Sequence, residues 1–398
     1  MAALSTALSG CNTSNQSAFR VRLLKNSIPV QLPSQFRKQL KEFKDTQLDF
    51  KPENQLQALF ANLQAWKQQA SNIVPANKVT PDRSFNLPFL SNQEAIPDLI
   101  TMGDYWLSVA IRQKLIQPLD PKTWQLWNQL PDRWKQIVAR DAQGNLLKTR
   151  DGNNTPIVPS QVWGAPYRWG ATVIVYRTDI FRDRNLKLPQ DWADLWREEL
   201  RGRIALLDQP RETIGLTLKK LGQSYNTVDL SKVPALEAQL TDLNRQTRFY
   251  SSDSVLQSLL VDDVWMAVAW STDVLQAMKR NPSIAAVFPN SGTALFTDLW
   301  VRPAAVLSNQ DQAVQSLMAQ WINFCWQPAI APQLSLLSQA ASPILSTLDP
   351  ATFTDELRQN SILVPKAELL DRSEFLEPIS DSTIEQYRTL WAKIRGSA

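Results

Sequence analysis

The chain has 398 residues, 43% hydrophobic and 20% charged, and this globular composition excludes intrinsically disordered and fibrous proteins. It contains no histidine, which excludes Ser-His-Asp triads, Cys-His pairs, histidine general bases and imidazole-ligated metals. Its 42 basic and 38 acidic residues are interspersed, and its 11 glycines form no phosphate-binding motif, so neither a nucleic acid nor a nucleotide is an expected partner.

The first motif along the chain is Leu8-Ser9-Gly10-Cys11, which small and apolar residues precede and a polar tether of residues 12–17 follows. The motif resembles the lipobox of bacterial lipoproteins, in which acyl chains on the cysteine anchor a domain to a membrane face. Only ten residues precede Cys11, and none is Lys or Arg, so we expect a truncated signal whose true start lies upstream. A chance cysteine near the N-terminus is the alternative.

The second cysteine, Cys325, lies in the apolar string Trp321-Ile322-Asn323-Phe324-Cys325-Trp326, and we expect a buried thiol. Two cysteines without C-x-x-C spacing predict neither a disulfide scaffold nor a metal site. No stretch reaches the roughly 20 apolar residues that a membrane-spanning helix needs.

The body of the chain alternates strand and helix patterns, with turn signals at Gln143-Gly144-Asn145 and Asp151-Gly152-Asn153 that predict a β-hairpin over 137–162, covering part of a cleft. Such alternation predicts an α/β fold with open, mostly parallel sheets, whose ligands bind beyond the carboxyl ends of the strands. Strands are predicted at 19–24, 98–101, 165–176, 204–207, 266–270 and 296–302, and helices at 35–43, 55–69, 105–114, from 210 to Gly222, from 271, and at 312–324.

Carboxylates and flat aromatic residues alternate where these strands end. Aromatic faces attract ammonium groups and flank methylene chains, and carboxylates pair with charged ends. This set of residues therefore predicts a binding site for an elongated organic cation. It is poorly suited to catalysis. Its members are Asp104, Tyr105, Trp106, Tyr167, Trp169, Gln209, Glu212, Trp270, Phe296 and Asp298.

The order of the segments resembles the bacterial spermidine/putrescine-binding periplasmic proteins, the substrate-capturing subunits of ABC importers. The resemblance implies a two-lobe periplasmic-binding-protein fold of type II, with an open sheet in each lobe and a hinge of crossing strands. It divides the chain into a truncated signal and tether (1–18), lobe 1 (19–167 plus 299–345) and lobe 2 (168–298 plus 346–398). The matching segments are Asp98 to Asp120, Ala165 to Tyr176, Trp192-Ala193-Asp194-Leu195-Trp196 and Gly202 to Gly222.

The same resemblance implies roles for individual residues. Tyr105, Trp270 and Phe296 would flank an aliphatic chain, Glu212 and Asp298 would pair with amines, and Gln333 would donate or accept a hydrogen bond. Ser252 adds a hydroxyl. Trp169 is a further candidate contact, with a place in the core as the equal alternative, and Asp104 would replace a lost carboxylate or cap the next helix.

The chain departs from the family pattern at several of these positions. Asn26-Ser27 stands where the family has Trp-Thr, and Gln209 stands where it has an acidic residue. Arg168 and Arg211 add positive charge, and we expect both to be internal ion-pair partners of carboxylates. A shorter diamine, or a zwitterion that needs both signs of charge, therefore remains open.

The predicted function is that of an extracytoplasmic solute-binding subunit of an ABC importer, binding putrescine, spermidine or a related cation and delivering it to membrane permease subunits. The chain would be a monomer without enzymatic activity, cofactor, metal or nucleic-acid partner. It would act in the periplasm or, lipid-anchored through Cys11, at the periplasmic face of the inner membrane. The alternatives are the same fold with another solute, such as an amino-acid-like zwitterion, or a hydrolase with a carboxylate pair.

Overall fold

The computed structural model describes residues 18–44, 46–72, 95–146, 161–306 and 312–396, so Cys11 lies outside the described part of the chain. The strands are β1 (Ala18–Leu24), β2 (Gln47–Glu53), β3 (Leu99–Gly103), β4 (Ile116–Gln117), β5 (Ala139–Arg140), β6 (Gln161–Val162), β7 (Ala165–Arg177), β8 (Ile204–Leu206), β9 (Thr247–Tyr250), β10 (Met266–Trp270), β11 (Ile284–Val287), β12 (Ala294–Pro303) and β13 (Glu374–Phe375).

The α-helices of these ranges are α1 (Leu32–Gln39), α2 (Leu56–Asn72), α3 (Leu107–Arg112), α4 (Asp132–Val138), α5 (Thr178–Asp183), α6 (Pro210–Lys220), α7 (Leu236–Gln246), α8 (Val255–Leu260), α9 (Ser271–Arg280), α10 (Gln312–Cys325), α11 (Ala331–Ser338), α12 (Asp355–Gln359), α13 (Ala367–Asp371) and α14 (Asp381–Gly396). Short 3-10 helices lie between them, among them Asp104–Trp106 and Trp192–Trp196. No helix within the described ranges combines the length and apolar content needed to span a bilayer.

The main strands form a single path in the order β2-β1-β3-β12-β7-β10-β8-β9. At each end of the path the strands pair in parallel, β2 with β1 and β1 with β3 on one side, β10 with β8 and β8 with β9 on the other. The antiparallel pairs among them involve β7 and β12. The sheet therefore has two parallel ends joined by two long antiparallel strands.

The long strand β7 belongs to both ends of this sheet. Its first part, Ala165 to Ala171, pairs with β12, and its second part, Thr172 to Tyr176, pairs with β10. All its residues but the last are buried, as expected for a near-continuous run of apolar and β-branched residues covered on both faces. This crossing strand is the hinge element of the predicted two-lobe fold. The residue bounds of the two lobes remain a prediction.

The core contains a cluster of buried aromatic rings beside the crossing strands. Tyr167 of β7 stacks on Trp300 of β12 with ring centroids 4.2 Å apart, and Trp321 of α10 packs edge-on against Trp300. Cys325 is fully buried in the same cluster, which confirms its predicted place in the core.

Most predicted elements are confirmed, one helix is corrected, and one edge strand was missed. The helix predicted at 35–43 lies at Leu32–Gln39, because Pro33 is tolerated in its first turn and Phe43, with φ of 60°, is left-handed. Strand β2 was not predicted, because its few apolar residues and Pro52 argue against a strand; β2 lies at the edge of the sheet, where proline is tolerated. Strands β5 and β6 pair antiparallel as the base of the predicted hairpin, whose residues 147–160 lie outside the described part.

Candidate functional site

Asp298 and Arg168 face each other on the paired strands β12 and β7. The Arg168 Nε and Nη2 atoms both lie 2.6 Å from the Asp298 Oδ2 atom, and the two side chains are only 7% and 5% exposed. Burial raises the pKa of Asp298 above its ordinary value, and the Arg168 guanidinium offsets part of that rise. The prediction that Arg168 is an internal ion-pair partner is confirmed.

Asp104 begins the 3-10 helix that follows β3, and its buried carboxyl points to β12. Its Oδ1 atom accepts a hydrogen bond from the Thr297 backbone nitrogen at 2.9 Å. Burial raises the pKa of Asp104 to about 7, the Thr297 hydrogen bond acts against that rise, and the nearby Asp298 adds to it. Asp104 makes no capping hydrogen bond, so the capping alternative is wrong.

Glu212 lies in the first turn of α6, which begins with Pro210 at a position where proline is favoured. The carboxyl is buried, and Thr172 Oγ1 donates a hydrogen bond to Glu212 Oε2 at 2.9 Å. Burial raises the pKa of Glu212, while the side-chain hydrogen bonds of Thr172 and Trp270 lower it. The end of β10 and the start of α6 are thus joined to β7 through one carboxyl.

A cavity of about 100 Å³ opens at the carboxyl end of β10, as the fold class predicts for a ligand site. Ser252 and Trp270, both predicted site residues, lie in its wall, and Gln209 donates a hydrogen bond from Nε2 to Ser252 Oγ at 3.4 Å. The cavity combines an indole face, a hydroxyl, two carboxylates and an apolar surface, which suits an alkylammonium group. Its wall consists of Leu207, Ser252, Asp253, Val255, Leu256, Ala269, Trp270 and Asp273.

Asp273 is a residue of this cavity that the sequence prediction missed. It lies in the first turn of α9, and within the described ranges its carboxylate has no hydrogen-bond or ion-pair partner. Burial raises the pKa of Asp273, and Arg168 lowers it. The available signal was its position three residues after Trp270, which indicates only the start of a helix.

Two further predicted aromatic residues, Phe296 and Tyr105, differ in their exposure. Phe296 is half-buried on β12, and a methyl group built on Gly170 would lie 2.4 Å from Phe296 Cζ, so the glycine permits this close approach. Tyr105 is 66% exposed. Burial lowers the pKa of Arg211, and Tyr105 lies close enough to Arg211 to act against that lowering. An exposed tyrosine beside Asp104 is free to meet a ligand.

Three other predicted site residues lie elsewhere or pack in the core. Trp169 is buried against Trp134, with ring centroids 5.3 Å apart, which matches the core alternative. Ser27 is fully buried, and Gln333 is engaged with the Ala329 carbonyl and Gln35. None of these three lines the cavity.

Arg211 corrects the prediction that it is an ion-pair partner. Its guanidinium donates to the Glu377 carbonyl and to Asn226 Oδ1, and it lies 5.3 Å from the centre of the Tyr387 ring. Among the described residues no carboxylate forms an ion pair with it; backbone and amide oxygens accept from its two Nη atoms instead.

Replacing Gly170 by alanine is expected to destabilise the protein by about 1–3 kcal/mol, because the new methyl group would meet Phe296 and the Ser271 hydroxyl at 2.4 and 2.7 Å. Urea unfolding measures the effect. The matched control is Gly396→Ala, where the methyl group has no neighbour within 4 Å. Equal stability of the two variants would show that Phe296 moves aside without cost.

Residues 94–372 match the family described as bacterial extracellular solute-binding protein. The chain belongs to this family. This solute-binding protein is 26% identical over 242 residues to the spermidine/putrescine-binding periplasmic protein of Salmonella typhimurium, covering 60% of this chain and 66% of the relative's length. It is 24% identical over 320 residues to the putrescine-binding periplasmic protein PotF of Escherichia coli, covering 75% and 78%.

A solved structure supports the fold of this solute-binding protein. The spermidine/putrescine ABC transporter substrate-binding protein PotD from Streptococcus pneumoniae superposes with a TM-score of 0.73 at 19% identity, over 96% of this chain and 99% of PotD. The predicted two-lobe α/β fold and the predicted family are confirmed.

Proposed function

We propose that the protein is the extracytoplasmic solute-binding subunit of an ABC importer and binds a polyamine-like organic cation, putrescine or spermidine. The observation that carries the proposal is the cavity at the end of β10, in which the Trp270 indole lies with Ser252, Asp253 and Asp273. The names of the Salmonella and Escherichia relatives support the same ligand class.

The binding mechanism follows from the chemistry of these groups. An ammonium group gains a charge-assisted hydrogen bond from a carboxylate and an electrostatic attraction to an aromatic face. Methylene groups gain from contact with the apolar wall. The predicted boundaries between the lobes fall within β7, between residues 167 and 168, and within β12, between residues 298 and 299. The two lobes can therefore close on the ligand by bending these strands. The ligand favours the closed state if it makes some of its contacts only there.

The remaining parts of the proposal concern partners and location. The protein would be a monomer without enzymatic activity that gives its ligand to permease subunits in the membrane. It would act in the periplasm, and Cys11 would carry the lipid that attaches it to the membrane face. Mass spectrometry of the protein from membranes tests the lipid, and the retention of the purified protein in size-exclusion chromatography tests the monomer.

A thermal-shift titration tests the ligand class. Putrescine, spermidine, spermine, arginine and choline are added to the full chain at low and moderate salt. A ligand at about 100 times its Kd adds about 2.7 kcal/mol of stability, so a linear amine is expected to raise the melting temperature visibly while arginine does not. Stabilisation by arginine alone would favour a zwitterion, and amine turnover during incubation would favour an enzyme.

A further inference from the structure

The Asn226 side chain joins α6 to β13 and the residues just after it through four hydrogen bonds. Its Oδ1 atom accepts from Arg211 Nη2 at 3.1 Å and from the Glu377 backbone nitrogen at 2.8 Å. Its Nδ2 atom donates to the Phe375 carbonyl at 2.9 Å and to Glu374 Oε2 at 3.5 Å. Two acceptor lone pairs and two N–H donors are the whole capacity of a side-chain amide, so these contacts fix its orientation.

The Arg211 guanidinium is held by neutral acceptors. Its Nη1 atom donates to the Glu377 carbonyl at 3.3 Å, its Nη2 atom donates to Asn226 Oδ1, and the guanidinium lies 5.3 Å from the centre of the Tyr387 ring. Its Nε atom is buried and has no hydrogen-bond partner among the described residues. These contacts therefore fix the place of a positive charge without neutralising it.

This charge lies beside two residues predicted to contact the ligand. Burial lowers the pKa of Arg211, and Tyr387, Tyr105 and Glu212 are all close enough to act against that lowering. The arginine side chain is long and flexible, so without the Asn226 oxygen its guanidinium can turn towards Glu212 and Tyr105. A positive charge at that position repels a cationic ligand.

We propose that Asn226 is a positioning residue for cation binding, whose amide oxygen holds the Arg211 guanidinium at the Glu377 carbonyl and away from Tyr105 and Glu212. The inference rests on the proposed function, since the repulsion opposes binding only if the ligand is a cation. An amide suits this task because its oxygen holds the arginine while its nitrogen anchors the Phe375 carbonyl.

Isothermal titration of the full chain with putrescine tests the proposal. Asn226→Ala is expected to raise the Kd about fivefold at low salt, because the released Arg211 charge then faces the ligand. At about 0.5 M salt this factor is expected to fall by about half, since added salt screens the repulsion. A purely structural role of Asn226 would leave the factor independent of salt.

The matched control is Asn244→Ala. The Asn244 amide also joins two segments, because it donates to the Ile394 carbonyl at 3.1 Å and accepts from the Tyr250 hydroxyl at 3.0 Å. It is half-buried like Asn226 and does not line the cavity at the end of β10. We expect this variant to bind putrescine with the wild-type Kd at both salt concentrations.

The double variant Asn226→Ala with Arg211→Met separates the released charge from the lost anchor of residues 374–377. Methionine keeps an apolar stem and removes the charge, so we expect a Kd within about twofold of the wild type. A double variant that binds as weakly as Asn226→Ala overturns the inference, because the lost anchor would then be responsible. An unchanged Kd in folded Asn226→Ala overturns it as well.

If Asn226→Ala does not fold, Arg211→Met alone decides. Removal of a charge that is only held aside is expected to leave putrescine binding at least as tight as in the wild type, and weaker binding overturns the inference. In each of these cases the proposed function stands. Absence of putrescine and spermidine binding to the wild type overturns the proposed function itself.

Discussion

Replacing Asp298 by alanine is expected to destabilise the fold by about 3–5 kcal/mol, because the substitution leaves the Arg168 guanidinium buried without its partner. The loss is large because both side chains are almost fully buried between β7 and β12. Urea unfolding monitored by tryptophan fluorescence measures it. A weaker ligand affinity in this variant would therefore reflect the lost stability of the fold as well as any lost contact between Asp298 and the ligand.

The double variant Arg168→Leu with Asp298→Leu provides the control for this prediction. Removing both charges leaves no unpaired ion, so we expect a stability near that of the wild type or above it. A double variant as unstable as Asp298→Ala would contradict the explanation, since packing and not the unpaired charge would then be responsible.

Replacing Asp104 by asparagine is expected to raise the free energy of unfolding at pH 8, by about 4 kcal/mol at most. The pKa of Asp104 is raised from 3.8 to about 7 in the folded state. Between about pH 4 and pH 7 the folded state therefore binds a proton that the unfolded state has lost, so stability falls as the pH rises through this window. Asparagine carries no charge and still accepts the Thr297 hydrogen bond.

Unfolding experiments at intervals between pH 4 and pH 8 check this prediction. The wild-type free energy of unfolding should decline across the window, and the decline should be shallower in Asp104→Asn. Some slope is expected to remain, because burial also raises the pKa values of Glu212 and Asp298. Parallel curves for the two proteins would show that Asp104 is already ionised in the folded state.

The elements that the sequence predicted best are those with strong local patterns. Strands β7 and β10 are continuous apolar runs, and the structure places them within one or two residues of the predicted ends. Strand β2 has no such pattern, because an edge strand tolerates proline and charge, and its pairing with β1 is a tertiary effect.

The candidate site was predictable in its residue types but not in its pairings. Asp298 and Arg168 were both recognised, yet their contact depends on the register between β7 and β12, which are far apart in the chain. Asp273 was overlooked because a helical first turn explains an aspartate without reference to any cavity. Its place beside Ser252 exists only once β10 and the segment before α8 are packed together.

The path of the chain through the sheet has a consequence for the order of folding. Strand β3 finds its second neighbour only when β12 has been made, and α14, the last helix, packs against α6 and α7. Contacts between segments so distant in sequence form slowly, since a long loop must close before they form. The end of the sheet that contains β3 is therefore completed only after β12 has been made, whereas β7, β8, β9 and β10 at the other end come from one continuous stretch of the chain.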